Sequence, residues 1–324
     1  MFCGKAALIR QDFKQQFFNV MTQASTRIRV PSSTSNLGSG FDSLGLALQF
    51  YLTLDVEPAE EMTFTFSGEG AAELNASTED NLIFQAMKFI AAREGVELRP
   101  ARFHVTNEIP LARGLGSSAA AIIAGFSAFE VVTGVQLSQQ KLMDYATEME
   151  HHSDNVTAAL LGAFVVSSVD ERGKVFAAKV DFPEAVRAIV VIPNFKVRTE
   201  EARRVVPLNL SREDAVFNIQ RAAMFVASVA ARRYDLFREA MRDRLHQPYR
   251  APLVPGLAEI LNLENVEGLL GVALSGSGPT VFALANDDFE GVKQALVAVF
   301  ASRGIECKAH IVAVDTTGRV ITRS

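Results

Sequence analysis

The string Pro110-Leu-Ala-Arg-Gly-Leu-Gly-Ser-Ser-Ala-Ala-Ala-Ile-Ile-Ala-Gly125 holds the residues best suited to binding a phosphate. Gly114 and Gly116 can adopt φ > 0 and let a ligand come close to the backbone. Ser117 and Ser118 suit a helix N-terminus, and Ala119, Ala120 and Ala121 propagate a helix well. The first turn of such a helix has unpaired N–H groups at the positive end of the macrodipole, where an anion is favoured. Two other glycine-loop chemistries are excluded. No Gly-Lys-Ser/Thr follows the glycines, as a Walker loop needs, and a dinucleotide fingerprint would need a third glycine where Ala119 stands.

Other candidates are scattered. Asn36 and Asp42 sit in a polar loop with Gly38 and Gly40, where they could equally set turn geometry. Ser275-Gly-Ser-Gly-Pro-Thr280 is a second glycine turn, between two apolar runs. Glu150-His151-His152-Ser153-Asp154-Asn155 follows a helix pattern. A carboxylate at a negative helix end is poorly placed unless a cation is near. His152 and Asp154 are of the type that serves as general base. A zinc site at His151 and His152 is rejected, because no further ligands stand at a recognisable spacing.

The glycine string resembles the ATP-binding motif of the GHMP kinases, P-x-x-x-G-L-G-S-S-A-A, at every fixed position. Gly271 to Thr280 is similar to that family's late motif, G-x-x-x-S-G-A-G-P-T, with Ser277 replacing Ala. Pro31 to Gly45 is similar to P-x-S-x-x-N-L-G-x-G-F-D-S-L-G. That form, with the segments His152-Ser-Asp-Asn155, Thr199-Glu-Glu-Ala-Arg203 and His246-Gln-Pro-Tyr-Arg250, resembles the branch that phosphorylates L-homoserine. The resemblance runs from about Arg27 to the C-terminus. It implies an α+β, two-domain fold: a ribosomal-protein-S5-like N-terminal domain, a ferredoxin-like C-terminal domain and the site in the cleft between them.

It also implies roles. Asn81, Pro110, Arg113, Gly114, Leu115, Gly116, Ser117, Ser118, Ala119, Ala120, Gly276 and Gly278 would bind ATP, with Asn81 at the adenine. Ser118 and Glu150 would hold Mg²⁺, a hard cation that takes one or two carboxylates plus phosphates and water. Asp42 would take the ammonium of the amino acid, and Arg203 and Arg250 its carboxylate, which guanidinium forks bind bidentately. Asn36, His152, Asn155 and Thr199 would line the rest of that pocket. The catalytic set would be Asn36, Asp154, Asn155 and Arg203, although phosphoryl transfer through a loose transition state rewards positioning and need not use a strong base. The reaction implied is ATP-dependent phosphorylation of L-homoserine in threonine biosynthesis. A mevalonate or sugar kinase of the same family is the alternative. Asp42 argues against it, because an ammonium partner is wasted on a substrate without an amine. A non-catalytic ATP-binding descendant is the other, and the intact Ser118 and Glu150 argue against that.

These loops need strands and helices to hold them. Strand patterns occupy Arg27 to Pro31, Gln49 to Val56, Met62 to Ser67, Arg102 to Thr106, Gly162 to Ser168, Lys174 to Val180, Arg187 to Ile192, Leu270 to Leu274, a run ending at Ala285, and Ile305 to Val314. Helix patterns occupy Asp80 to Ala92, Ser117 to about Gly134, Ser138 to Glu150, Thr199 to Val205, Ser211 to about Arg233 and on to about Leu245, and Asp288 to Ser302. The 324 residues divide into an N-terminal extension (1–21), an ATP-binding domain (22–185) and a second domain (186–324). The net charge of −5 and the lack of a basic run speak against nucleic acid or an anionic membrane as partner. No apolar run reaches the ~18 residues of a membrane span. Cys3 and Cys307 form neither a metal spacing nor a disulfide framework, so a reducing cytoplasm is the default compartment. A homodimer is common in the family. The first twenty residues fit a disordered tail, a weak targeting segment, or a start at Met21, the reading favoured here.

Overall fold

The computed structural model describes residues 25–74 and 81–323. The readings made for the N-terminal extension, Cys3 and Asp80 lie outside the described residues. The elements in order are β1 (Thr26–Ser35), β2 (Leu44–Pro58), β3 (Thr63–Gly68), α1 (Leu82–Glu94), β4 (Ala101–Asn107), α2 (Ser117–Thr133), α3 (Gln139–Glu150), α4 (Ser153–Leu161), β5 (Phe164–Val169) and β6 (Val175–Val180). There follow β7 (Arg187–Pro193), α5 (Thr199–Arg204), α6 (Arg212–Ala230), the turns α7 (Phe237–Ala240), α8 (Gln247–Arg250) and α9 (Leu257–Ile260), then β8 (Leu269–Leu274), β9 (Val281–Ala285), α10 (Phe289–Ala301), β10 (Cys307–Val312) and β11 (Val320–Arg323).

One sheet has the order β11-β1-β2-β4-β3, with β5 also pairing β2 and β6. The other runs β10-β7-β9-β8. Numbered within itself, the second sheet is 4-1-3-2, with helices in the β7–β8 and β9–β10 connections, which is the split βαβ pattern of a ferredoxin-like unit. β7 is buried on both faces. Ala188, Val190 and Ile192 enter the core shared with the first sheet, whereas Ile189 and Val191 join Leu296 and Phe300 of α10. That period-2 division is why the strand reads as a continuous apolar run.

Three differences from the sequence expectation matter for the site. First, β1 does not stop at Pro31. Its register with β2 shifts between Pro31 and Ser32, and the strand then continues through Ser35. Proline cannot donate to the ladder, and a bulge absorbs the break. The buried serines beyond it are tolerated because they find partners, for instance Ser32 Oγ donating to the Leu48 carbonyl at 3.2 Å. Second, residues after Glu150 form α4, which carries Asp154 and Asn155. Third, β11 pairs antiparallel with β1, so the last strand returns to the first sheet across the boundary expected at 185/186. The helix expected to reach Leu245 ends at Ala230, and only short turns follow it before α8.

Candidate active site

The phosphate loop is clamped by its neighbours. Gly114 has φ 77° and Gly116 φ 66°. A Cβ on Gly114 would lie 2.2 Å from the Ser275 carbonyl oxygen, and one on Gly116 would lie 2.2 Å from Ser33 Oγ. Both glycines are therefore required by conformation and by contact. Ser275 Oγ bonds the Gly114 carbonyl at 2.6 Å and Thr34 Oγ1 at 2.8 Å. The Ser33 N–H donates to the Leu115 carbonyl at 3.2 Å and the Gly276 N–H to the Ser35 carbonyl at 3.3 Å. The end of β1, the phosphate loop and the late glycine turn thus form one interlocked unit.

The cap of α2 differs from expectation. Gly116 is the N-cap and offers no side-chain acceptor, while Ser117 and Ser118 are already helical. The first-turn amides are left to a ligand, which suits an anion better than a capped helix would. Ser118 Oγ instead donates to Glu150 Oε1 at 2.5 Å. Arg113 Nη1 is buried with no partner among the described residues.

Glu150 ends α3 and His152 precedes α4. Burial pushes the Glu150 carboxyl above its ordinary range, and the His152 charge and the Ser118 hydrogen bond only partly offset this. His152 lies 3.9 Å from Glu150 and 3.5 Å from Asp154. Burial by itself would lower the imidazolium, but these two acids outweigh it and the net shift is upward. Asn155 is saturated by β1. Its Oδ1 accepts from Ser33 Oγ at 2.9 Å, and its Nδ2 donates to Ser35 Oγ at 2.9 Å. Asp154 Oδ1 accepts from the Asn155 N–H at 2.7 Å. Among the described residues no group of three His, Cys, Asp or Glu could hold a metal by itself. The hydroxyl–carboxylate pair of Ser118 and Glu150 has the donor chemistry that Mg²⁺ takes, one carboxylate and one hydroxyl oxygen, with the remaining ligands to come from phosphates and water. A buried acid raised by desolvation is a donor that a cation would restore to its charged form.

Across the cleft, Asp42 and Arg203 form a two-pronged ion pair at 2.8 and 3.1 Å. The charge and hydrogen bond of Asp42 outweigh burial and raise the Arg203 guanidinium. Asn36 braces the loop that carries Asp42: its Oδ1 accepts from the Asp42 N–H at 3.0 Å, and its Nδ2 donates to the Gly276 carbonyl at 3.1 Å. Arg250 is 2 % exposed, and burial, aided by the charge of Arg203, pushes it down to about 10. Thr199 Oγ1 lies 3.5 Å from Ser277 Oγ. Four residues at the cleft, Asn36, Asp42, Ala112 and His151, hold positive φ without being glycine. Such strain persists where surroundings over-determine the backbone, as at a working site.

These groups line one cleft of about 540 Å³. It brings together Asn36, Asp42, Arg113, Gly114, Leu115, Gly116, Ser117, Ser118, Glu150, His152, Asp154, Asn155, Thr199, Arg203, Arg250 and Gly276. Asn81, Pro110, Ala119, Ala120 and Gly278 do not line it. Ala119 and Ala120 are core residues of α2, and Gly278 packs on Leu274. The Asn81 side chain accepts from the Ile83 N–H as the cap of α1, leaving its buried Nδ2 with no partner among the described residues. Ser33, Ser35, Ser275, Ser277 and Ala112 were not singled out by sequence. The serines lie inside the motifs, but only the contacts reveal their work. A larger hollow of about 690 Å³ beside α7 and β8 is lined by none of the residues of the phosphate loop or the late glycine turn.

Comparison with known proteins gives matches in both halves of the chain. The family model for the GHMP kinases N terminal domain matches residues 81–163, and the model for the GHMP kinases C terminal domain matches residues 225–302. The homoserine kinase of Persephonella marina is 38% identical over 292 residues, 90% of this chain and 96% of that one. That of Desulfitobacterium hafniense is 39% identical over 296 residues, 91% and 99%. The crystal structure of homoserine kinase from Cytophaga hutchinsonii superposes with a TM-score of 0.80 at 26% identity, covering 92% of this chain and 97% of that one.

Proposed function

The chain belongs to the GHMP kinases and, within them, to the homoserine kinases; from that premise we propose that it moves the γ-phosphoryl group of ATP to the side-chain hydroxyl of L-homoserine, giving ADP and O-phospho-L-homoserine, a step of threonine biosynthesis. The observation that carries this reading is the pairing of opposite chemistries on two walls of one cleft. One wall offers the amides of α2 and the Ser118–Glu150 pair. The other offers Asp42, Arg203 and Arg250.

In this reading the first-turn amides of α2 and Arg113 bind the triphosphate. Ser118 and Glu150 would hold Mg²⁺, which supplies charge neutralisation on the phosphates when bound. The amino acid takes over an ion pair that exists without it. Its ammonium meets Asp42, and its carboxylate meets Arg203 and Arg250. Neither charged group is left bare, which favours a zwitterion over a plain acid or a sugar. Asn36 ties the Asp42 loop to the late glycine turn, Asn155 ties α4 to the end of β1, and the acceptor hydroxyl is set beside His152 and Asp154. Asp154 is buried and already accepts a hydrogen bond from the Asn155 N–H, so it orients more readily than it abstracts a proton.

The test is ADP release with ATP and Mg²⁺ on L-homoserine, L-threonine, L-serine, mevalonate and galactose in separate wells. Turnover is expected on homoserine. Asp42→Ala should lower kcat/KM for homoserine by about ten-fold or more, the worth of a hydrogen bond between charged groups at a half-exposed pair. Glu150→Ala should abolish turnover while ATP still binds. Turnover on mevalonate or galactose, indifferent to Asp42, would overturn the amino-acid pocket. ATP binding without turnover on any substrate would point to a non-catalytic protein.

A further inference from the structure

Arg250 reaches the cleft from α8, and three anchors hold it. Its Nε donates to the Ala202 carbonyl at 2.9 Å, and its Nη1 donates to the Gly276 carbonyl at 2.9 Å. The third anchor is a side chain, His246, whose Nδ1 lies 3.2 Å from Arg250 Nη1. The arrangement leaves Nη2 as the guanidinium nitrogen with no protein partner among the described residues. His246 is fully buried, and its Nε2 lies 2.8 Å from the Gly38 carbonyl. Gly38 belongs to the loop that carries Asp42. The same loop is packed hard against the residues before α8: a Cβ on Gly38 would lie 1.9 Å from the Met241 carbonyl oxygen, and Ser39 Oγ donates to the Ala240 carbonyl at 2.8 Å. Phe41, one residue before Asp42, stacks on His246 at 5.2 Å and lies under the Arg250 guanidinium at 5.3 Å.

An arginine can only donate, and a carbonyl oxygen can only accept. The two contacts therefore fix the ring. Nδ1 must accept from Arg250, and Nε2–H must donate to Gly38. We propose that His246 is a positioning residue: as a neutral ring protonated on Nε2, it ties Arg250 to the Asp42 loop and sets the spacing between the groups that meet the substrate's carboxylate and its ammonium. Burial drives the imidazole downward from its ordinary value, which agrees with a neutral ring. The inference rests on the reading that Arg250 meets the carboxylate. His246 does not touch the cleft, so its effect passes through Arg250.

The test uses the two amides that each reproduce one ring nitrogen. His246→Asn keeps an acceptor near the Nδ1 position and loses the donor to Gly38. His246→Gln keeps a donor near the Nε2 position and loses the acceptor for Arg250. With homoserine varied at saturating MgATP, His246→Gln should raise KM by about ten-fold, the worth of one hydrogen bond to a charged group. Its kcat and its KM for ATP should stay within about three-fold, and His246→Asn, which breaks the other end of the same tie, should raise the homoserine KM by a similar factor. On 2-amino-1,4-butanediol, the analogue whose carboxylate is reduced to an alcohol, the Gln change should have no effect on KM. A normal homoserine KM in either variant, or a parallel loss on the analogue, would overturn the inference and leave His246 a packing residue. Arg250→Ala in the same series separates the failures. An unchanged homoserine KM there overturns the carboxylate assignment itself, whereas a raised KM there with a normal Gln variant overturns only the role of His246. Where a variant does not fold, ring-nitrogen NMR of the wild-type protein decides: a His246 ring protonated on Nε2 alone supports the inference, and one protonated on Nδ1 overturns it.

Discussion

At the phosphate end of the cleft the binding groups are backbone amides, and the side chains that matter there are mostly the ones that are missing. Gly114 and Gly116 leave room for Ser275 and Ser33, and Gly116 caps α2 without occupying its amides. At the acceptor end the binding groups are charged side chains from distant parts of the chain. Asp42 and Arg203 meet across 161 positions, and Arg250 comes from a four-residue turn. The first end tolerates almost no substitution because geometry is the function. The second recognises by charge, so it should fail gradually and selectively.

Gly114→Ala is the largest test of that contrast. The new Cβ would meet a backbone oxygen that cannot move without shifting the late turn, and alanine also strains at φ 77°. We expect kcat/KM to fall by about 10²-fold or more for both substrates, because displaced amides no longer align the triphosphate. Steady-state kinetics with each substrate varied would check it. A loss confined to homoserine would break the comparison, since it would place the two ends in one recognition unit.

How far the chain could be read in advance follows the same line. The phosphate loop was legible because a backbone site demands glycine and small residues in a contiguous run. The strand β7 and the cap at Ser138 were legible for similar local reasons. Helix α4 was not. Residues Ser153 to Leu160 are buried on every side, so no apolar stripe marks the helix against a polar face. The strand β11 is only four residues long and gains its meaning from pairing with β1, nearly three hundred positions away. No spacing in the sequence forecasts that Arg203 pairs with Asp42. Family motifs supplied the candidates, and only the fold brought them together.

A middle-sized effect should appear in the pH dependence of stability. The Glu150 carboxyl is raised from 4.5 by burial, and His152 is raised from 6.5 because its neighbouring acids outweigh burial. Both groups take up protons more readily folded than unfolded. The Glu150 contribution is fully present below 4.5 and is lost as pH rises through its raised value; the His152 contribution is fully present below 6.5 and is lost as pH rises through its own. Ligand-free protein should therefore lose stability from these two groups as pH rises across that window. Glu150→Gln should flatten the lower part of the slope and His152→Gln the upper part. MgATP should stabilise wild type more at higher pH and Glu150→Gln by a nearly constant amount. Thermal unfolding across pH, with and without MgATP, checks this. A variant slope equal to that of wild type would mean that the acid end of the phosphate site is not tuned by burial.

The smallest effect tests whether the phosphate end extends to the base of the nucleotide. Asn81 has two atoms with different employment. Its Oδ1 caps α1 by accepting from the Ile83 N–H at 2.9 Å. Its Nδ2 is buried and has no partner among the described residues, the condition in which an acceptor on a ligand is worth most. Asn81→Asp keeps the cap acceptor and removes the donor, whereas Asn81→Ala removes both. The alanine change should cost about 1 kcal/mol of stability from the lost cap. The aspartate change keeps the cap but buries a carboxylate oxygen with no donor beside it, so its Tm should fall as well. If Nδ2 serves adenine, both changes should raise the KM for ATP by about two- to ten-fold, one neutral hydrogen bond, with the homoserine KM unaltered. An aspartate variant with normal ATP kinetics would make Asn81 a cap and nothing more. The nucleotide wall would then be backbone throughout, sharpening the contrast with the charged wall opposite.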